Sequence, residues 1–181
     1  MGGGMGTSTN PCKLGKGDIY TFAGGEMRIG LTEGGFATAL VLGGNARFVE
    51  TETLLGGKAG ILARIHGKRV GIEISPMVII GLNKREEVMG LSLNPDLIFV
   101  PVTIFLRFAP RFSLALQGGL ASTLKKIGDN YRIPAAAGLS FWVNNHFAID
   151  AAFGLAAVAD KDDMTKAFDQ RSATVGLSYA M

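Results

Sequence analysis

The stretch Gln170–Met181 alternates residue by residue between two kinds of side chain. A β-strand points successive side chains to opposite faces, so the pattern predicts a strand with one apolar face and one face of small or weakly polar side chains, which we call the lean face. The lean face carries no long charged side chain, which is unusual for a surface in contact with water. The apolar face comprises Ala173, Val175, Leu177, Tyr179 and Met181, and the lean face comprises Ser172, Thr174, Gly176, Ser178 and Ala180.

The same alternation recurs from Phe36 onward, and no helical period competes with it. We therefore predict eight strands, each close to the ~9–11 residues with which a tilted strand crosses a bilayer. Residues 88–96 are interpreted as the distal end of the fourth strand, bent at Asn94–Asp96, with a short extra strand as the alternative. The first seven strands lie near residues 36–43, 57–67, 70–81, 98–108, 112–120, 132–141 and 147–157.

Connections between these strands alternate in length. Short turns are predicted around Gly67–Arg69, Ala109–Arg111 and Asn144–Asn145. Such alternation is typical of an antiparallel up-and-down barrel with turns on one rim and loops on the other. The longer, polar loops are predicted at residues 45–56, 82–96, 125–130 and 159–169.

The two faces of the predicted strands decide between a membrane barrel and a soluble one. Charged residues make up only 18% of the chain, against about 25% in an ordinary soluble domain. The interior of an eight-stranded barrel is just wide enough for side chains, so bulky residues fit more easily outside. This favours a transmembrane barrel with its apolar faces in lipid. A soluble ligand-binding barrel, with the apolar faces inside, is the alternative.

Aromatic residues cluster at the predicted short-turn rim. A membrane barrel has an aromatic girdle where the strands meet the interface, so we interpret these residues as one. Filling of the core near the hairpin ends is the alternative. The predicted girdle comprises Phe36, Phe108, Phe112, Phe141, Phe147 and Tyr179.

The few charges within strands fall on the lean faces. The turn at Lys68–Arg69 places Arg64 directly opposite Glu73, which predicts an ion pair across the hairpin. Arg107 and Asp150 lie near the same rim and are predicted to reach into the lumen. Charges in a narrow lumen are expected to pair, because an unpaired buried charge is costly.

The N-terminal segment is predicted to lie apart from the barrel. Residues 1–33 are interpreted as a flexible tail, ordered in part at the periplasmic side or in the lumen, and residues 34–181 as the barrel. Within this tail Met27, Ile29 and Leu31 alternate with polar or small residues, which indicates a strand or a segment touching the lumen. Met1–Gly17 lacks the apolar middle of a secretory signal, so we expect that signal to have been removed or to lie upstream.

The predicted architecture, including the closing stretch Ala173–Met181, resembles the small outer-membrane β-barrel proteins of the OmpA-like and OmpX-like eight-stranded group. The resemblance covers residues 34–181 and contains no diagnostic motif. It implies insertion into the outer membrane of a Gram-negative bacterium by the barrel-assembly machinery, with periplasmic turns and exposed outer loops. The fold itself supports many functions.

The sequence therefore predicts a structural or surface-interaction barrel, with a lumen filled by small residues and ion pairs. Its outer loops at 45–56, 82–96, 125–130 and 159–169 are predicted to meet any surface ligand. A narrow channel for small solutes is the alternative. We expect no enzyme, no cofactor, no metal and no nucleic-acid partner: His66 and His146 lie at predicted turns, and no nucleophile motif or zinc spacing accompanies them.

Overall fold

The fold is built almost entirely from β-strands. The computed structural model describes residues 2–10, 18–49, 52–84, 87–88, 91–92, 94–127, 131–160 and 171–180. A single turn of 3₁₀-helix, Leu124–Lys126, follows β10. The strands are β1 (Gly2–Asn10), β2 (Asp18–Thr32), β3 (Phe36–Val49), β4 (Glu52–His66), β5 (Val70–Ile74), β6 (Met77–Gly81), β7 (Glu87–Val88), β8 (Leu91–Ser92), β9 (Leu97–Ala109), β10 (Phe112–Thr123), β11 (Tyr131–Trp142), β12 (Phe147–Asp160) and β13 (Arg171–Tyr179).

The main sheet closes on itself. Each strand pairs antiparallel with its neighbour in the chain, β13 pairs with β1, and β9 pairs with β10. β5 and β6 are two halves of one strand, interrupted at Ser75–Pro76, and both halves pair with β4 and β9. The ring therefore has ten antiparallel strand positions, and every one of them has a partner on both sides.

The prediction of eight strands was wrong, because the ring has ten. The two further strands, β1 and β2, come from the segment predicted to be a tail. β1 is dominated by Gly, Ser and Thr, so it shows no apolar alternation and has little intrinsic strand preference. Its backbone is ordered by hydrogen bonding to β2 on one side and β13 on the other.

Two predictions about connections were also wrong. Residues 88–96 do not extend β9, which begins at Leu97; the described part holds the small separate hairpin of β7 and β8, which agrees with the alternative of a short extra strand. The loop predicted at 45–56 is mostly strand, since β3 continues to Val49 and β4 starts at Glu52. In the loop predicted at 125–130 a helical turn leads out of β10, and residues 161–169 of the last loop lie outside the described residues.

The short turns all lie at one rim of the ring. Glu33–Gly35 joins β2 to β3, and the turn at 67–69 joins β4 to β5. Gly34 has a φ of 109°, a left-handed conformation that glycine adopts without strain. The start of β1 pairs with the end of β13, so both lie at this same rim. The opposite rim carries the longer connections.

The bulky apolar side chains point away from the axis of the ring. Val175 is 62% exposed, while its chain neighbours on the other face, Thr174 and Gly176, are less accessible, and Phe153 on the same outward face is 53% exposed. A soluble ligand-binding barrel has the reverse arrangement, so the structure favours the membrane orientation of the faces. Among the described residues, no helix has the length and apolar character needed to cross a membrane.

Candidate pore lining

The inward face of the ring is continuous from strand to strand. Residues directly opposite each other in a sheet point to the same face, so one row of partners can be followed round the barrel. One such row starts at Arg64 near the short turns and ends at Ser172 near the long loops, as expected for tilted strands. It runs through Arg64, Glu73, Thr103, Gln117, Ala136, Gly154 and Ser172.

Glu73 is the centre of an ion network on this face. Its side chain is almost completely buried. Arg64, its direct partner on β4, donates to Glu73 Oε2 through both Nε, at 2.9 Å, and Nη2. Arg28 on β2 donates from Nη1 to the same carboxylate at 3.3 Å. The Arg64 guanidinium also lies 4.9 Å from the centre of the Phe105 ring, an additional cation–π contact.

Glu26 extends the network along β2. It accepts a hydrogen bond from Arg28 Nε at 2.6 Å and one from Lys58 Nζ at 2.5 Å. Together these five residues, Glu26, Arg28, Lys58, Arg64 and Glu73, form what we call the charged cluster. Each carboxylate is held by two cations, which offsets the cost of removing it from water.

The charged cluster fills one side of the lumen. The contact between Arg28 and Glu73 passes over the inward faces of β3 and β4, which lie between them. Ala39, Val41 and Leu62 sit on those faces, and they are 8%, 1% and 4% exposed. This apolar patch is therefore covered from the lumen by the ion pairs.

The other side of the lumen is lined mainly by small, uncharged residues. We call it the small-residue wall; it consists of the inward positions of β10–β13. Most of these side chains are only partly buried, and Ala152 is exposed although its register places it on the inward face. Its residues include Ser113, Ala115, Gln117, Gly119, Ala121, Ala136, Gly138, Ser140, Ala148, Asp150, Ala152, Gly154, Ser172, Thr174, Gly176 and Ser178; the larger inward residues Trp142 and Arg132 lie at its short-turn and long-loop ends.

At the long-loop rim, the connection between β6 and β9 is anchored to the barrel by Asn94. Its Nδ2 donates to Leu55 O at 2.7 Å and to Asn83 O at 3.0 Å. Its Oδ1 accepts a hydrogen bond from Arg47 Nη2 at 3.1 Å. Arg47 is an inward residue of β3, so the base of this loop is fixed at the mouth of the lumen.

The structure brings together some of the predicted lumen residues and separates others. Arg64 and Glu73 form an ion pair within the charged cluster. Asp150 lies on the small-residue wall, where it accepts a hydrogen bond from Ser178 Oγ. Arg107 lies near the short-turn rim, is exposed, and forms no ion pair with any residue that the structure describes.

The predicted girdle residues all lie at the short-turn rim. Phe108 stacks on Phe112 with ring centres 6.0 Å apart, and Phe112 packs against Phe141 at 5.0 Å. Phe147 pairs with Tyr179 between β12 and β13. Phe36, Phe108, Phe112 and Tyr179 are exposed, and Phe141 and Phe147 are partly buried.

Sequence reasoning missed Arg28 as a partner of Glu73, and it did not predict the pairing of Glu26 with Arg28 and Lys58. The alternation around Met27 and Ile29 places Glu26 and Arg28 together on the lean face of β2. That pattern identifies the inward face of β2 but does not show which carboxylates Arg28 would contact. Arg28 reaches Glu73 across the lumen, over two intervening strands, and no local register predicts such a contact.

No family model matches the chain, and no curated protein matches it in sequence. Its fold is similar to that of NanC porin. That similarity has a TM-score of 0.55 at 10% identity and covers 99% of each chain. The translocator domain of autotransporter NalP from Neisseria meningitidis gives a TM-score of 0.49 at 12% identity, covering 99% of this chain and 86% of that one. KdgM porin gives 0.47 at 8% identity, covering 100% and 99%.

The likeness to NanC porin shows the fold, an antiparallel β-barrel. The predicted membership of the eight-stranded OmpA-like and OmpX-like group is not confirmed, and the ten strand positions of the ring do not fit it.

Proposed function

We propose that this chain is a transmembrane barrel of the outer membrane of a Gram-negative bacterium. The support is the band of exposed aliphatic side chains on the outward face, bounded at the short-turn rim by aromatic residues. In hydrocarbon every backbone polar group needs a partner within the protein, and a closed sheet supplies one on both sides of each strand. The fold likeness to a porin agrees with this placement. Assembly would then depend on the barrel-assembly machinery.

Within that membrane we propose a narrow channel for small hydrophilic solutes. The observation that carries this proposal is the unequal filling of the lumen. The charged cluster packs against β3 and β4, whereas the small-residue wall opposite it leaves Ala152 exposed. Ten strands also enclose a wider interior than eight. Solutes would pass between the charged cluster and the small-residue wall.

Single-channel recording in planar bilayers tests the channel directly. The full chain, refolded and inserted, is expected to give discrete current steps. Heat-modifiable gel mobility of the same preparation checks that the protein is a closed barrel, because a folded barrel migrates as a compact band until it is boiled. A heat-modifiable barrel without current steps would contradict the channel.

A structural or surface-interaction role is the second candidate, and the charged cluster favours it. The cluster fills one side of the lumen with paired ions whose carboxylates are largely buried, as in a barrel that serves as a rigid anchor for its outer loops. In this role the connection between β6 and β9, anchored by Asn94, would present a surface for a ligand. A non-conducting, fully folded barrel is the result that supports this candidate. We propose no enzymatic role.

A further inference from the structure

Two neighbouring strands depart from the alternation of bulky and lean faces. Residues 77–80 of β6 and residues 97–102 of β9 are apolar at every position, so these strands carry apolar side chains on both faces. Their register pairs Met77 with Phe99 and Ile79 with Leu97, and it continues from Ile79 to the inward residue Lys58 on β4. The four inward side chains Met77, Ile79, Leu97 and Phe99 therefore form one array inside the ring, which we call the apolar wall.

The apolar wall is partly exposed, unlike the apolar side chains beneath the charged cluster. Ala39, Val41 and Leu62 are buried under the ion pairs, whereas all four residues of the apolar wall keep part of their surface accessible. Apolar surface left in contact with water forgoes the stabilisation that burial would supply. The lumen of a membrane barrel is ordinarily polar. An accessible apolar patch with polar groups around it is typical of a binding site.

Polar side chains border the apolar wall on the side nearer the short turns. Lys58 is the direct partner of Ile79 in the register, and its ammonium group belongs to the charged cluster. Further along β9 towards its short turn, Thr103 Oγ1 accepts a hydrogen bond of 3.1 Å from Gln117 Nε2 on β10. The apolar wall therefore ends where charged and hydrogen-bonding groups begin.

Two glycines show what bounds the apolar wall elsewhere. A Cβ added at Gly119 of β10 would lie 3.2 Å from Phe99 Cε2, so the ring extends to the border of the small-residue wall. A Cβ added at Gly81 would lie 2.9 Å from Cγ of Asn94, so Asn94 bounds the apolar wall at the long-loop rim. The apolar wall thus lies between the mouth of the lumen and the charged cluster, beside the path proposed for solutes.

The strand that faces the apolar wall across the lumen carries small polar side chains. β13 stands opposite β6 in the ring, since β9 to β12 lie between them on one side and β4, β3, β2 and β1 on the other. Ser172 and Thr174 lie on the inward face of β13, in its half nearer the long loops. A solute between the two surfaces has carbon on one side and hydroxyl groups on the other, which suits a molecule with both an apolar and a polar part.

We propose that the apolar wall binds a small aromatic or aliphatic group of the solutes that enter the lumen, so that the substrates of this channel are hydrophilic molecules that carry one such group. The apolar group lies against Met77, Ile79, Leu97 and Phe99, while the polar part of the solute faces the hydroxyl groups of β13. That these molecules are transported rests on the proposed channel function, and the binding site adds their chemical class.

Block of the single-channel current by two neutral glucosides tests the binding site. Methyl β-glucoside and phenyl β-glucoside share one sugar and differ in the size of the apolar group, and neither responds to the charges of the lumen. Phenyl β-glucoside is expected to reach half-block at a concentration about tenfold lower, because its ring removes more apolar surface from water.

Variants of the apolar wall assign the block to its residues. Ile79→Thr and Phe99→Leu are each expected to raise the half-blocking concentration of phenyl β-glucoside by about threefold, since each removes apolar contact area. Ile80→Thr is the matched control: it makes the same change at the next residue of β6, on the outward face, and is expected to leave the block unchanged. Heat-modifiable mobility first shows that each variant is folded.

Equilibrium dialysis of radiolabelled phenyl β-glucoside against vesicles with and without the folded protein measures binding independently of current. Equal block by the two glucosides, or equal weakening of the block by Ile79→Thr and Ile80→Thr, overturns the binding site and leaves the channel standing. Binding that Ile79→Thr weakens, in a barrel without current steps, supports the binding site and overturns the channel. A heat-modifiable barrel with neither current nor binding overturns both.

Discussion

Arg28 and Glu73 lie three strands apart in the sheet, on β2 and β5, yet the guanidinium of one is 3.3 Å from the carboxylate of the other. The contact spans the inward faces of β3 and β4 and divides the lumen into a filled part and an open part. The strands supply side chains of the right length at these two positions, and the curvature of the ring brings them together. The fold and the proposed channel both depend on this division.

Glu73→Gln is expected to destabilise the barrel by about 2 kcal/mol, because it removes the shared charged acceptor of Arg28 and Arg64. Both arginines are partly exposed and recover some hydration, which keeps the loss moderate. The denaturant midpoint of the protein refolded in lipid vesicles measures it. Glu33→Gln, in the exposed turn between β2 and β3, is the control. Equal shifts in the two variants would show that the cluster does not stabilise the barrel.

Val175→Arg is expected to destabilise the folded state in lipid by about 2–4 kcal/mol, since Val175 lies in the middle of β13 on the outward face. Ile149→Arg, closer to the short turn, is expected to cost less. Val70→Arg, where β5 leaves its turn, is expected to cost about 0–1 kcal/mol, because its charge reaches the interface. Refolding titrations in vesicles measure all three. If Val175→Arg folds as well as the parent, the outward face does not contact hydrocarbon.

Gly60→Ala is expected to destabilise the barrel by about 1–3 kcal/mol through overpacking. A Cβ at this position would meet the carbonyl oxygen of Pro76 and lie 2.7 Å from Cβ of Met77, where the strand of β5 and β6 is interrupted. Gly118→Ala is the control, because nothing lies within 4 Å of the Cβ that it would add. Denaturant midpoints compare the two. A midpoint for Gly60→Ala equal to that of Gly118→Ala would mean that the interruption is loosely packed.

Ala152→Phe is expected to lower the single-channel conductance at least about twofold, because it fills the space beside the small-residue wall. Ala151→Phe places the same ring on the outward face of the same strand and is expected to leave the conductance unchanged. Both variants are first checked for heat-modifiable mobility. Equal conductance in both variants would show that the current does not pass along this wall.

Part of this fold could be predicted from local sequence patterns. Val175 and Phe153 belong to apolar stripes with a period of two, and small residues occupy the alternate positions, so local sequence is sufficient to separate the two faces. The hairpin turn at Lys68–Arg69 likewise sets which residues of β4 and β5 face each other, since register follows from turn position. Tight turns and period-two patterns are local properties, because a few adjacent residues are sufficient to determine them.

The sequence by itself determined which side chains share a face, and that the bulky face differs from the lean one. The tertiary structure decided the number of strands, because β1, built from Gly2–Asn10, has no pattern of its own and becomes a strand only when β2 and β13 take up its backbone hydrogen bonds. It also decided that Glu73 is shared between Arg64 and Arg28. The physical reason is similar in both cases: the pairing of β1 with β13 and the contact of Arg28 with Glu73 join residues far apart in the chain, and only the closure and curvature of the ring bring them within bonding distance.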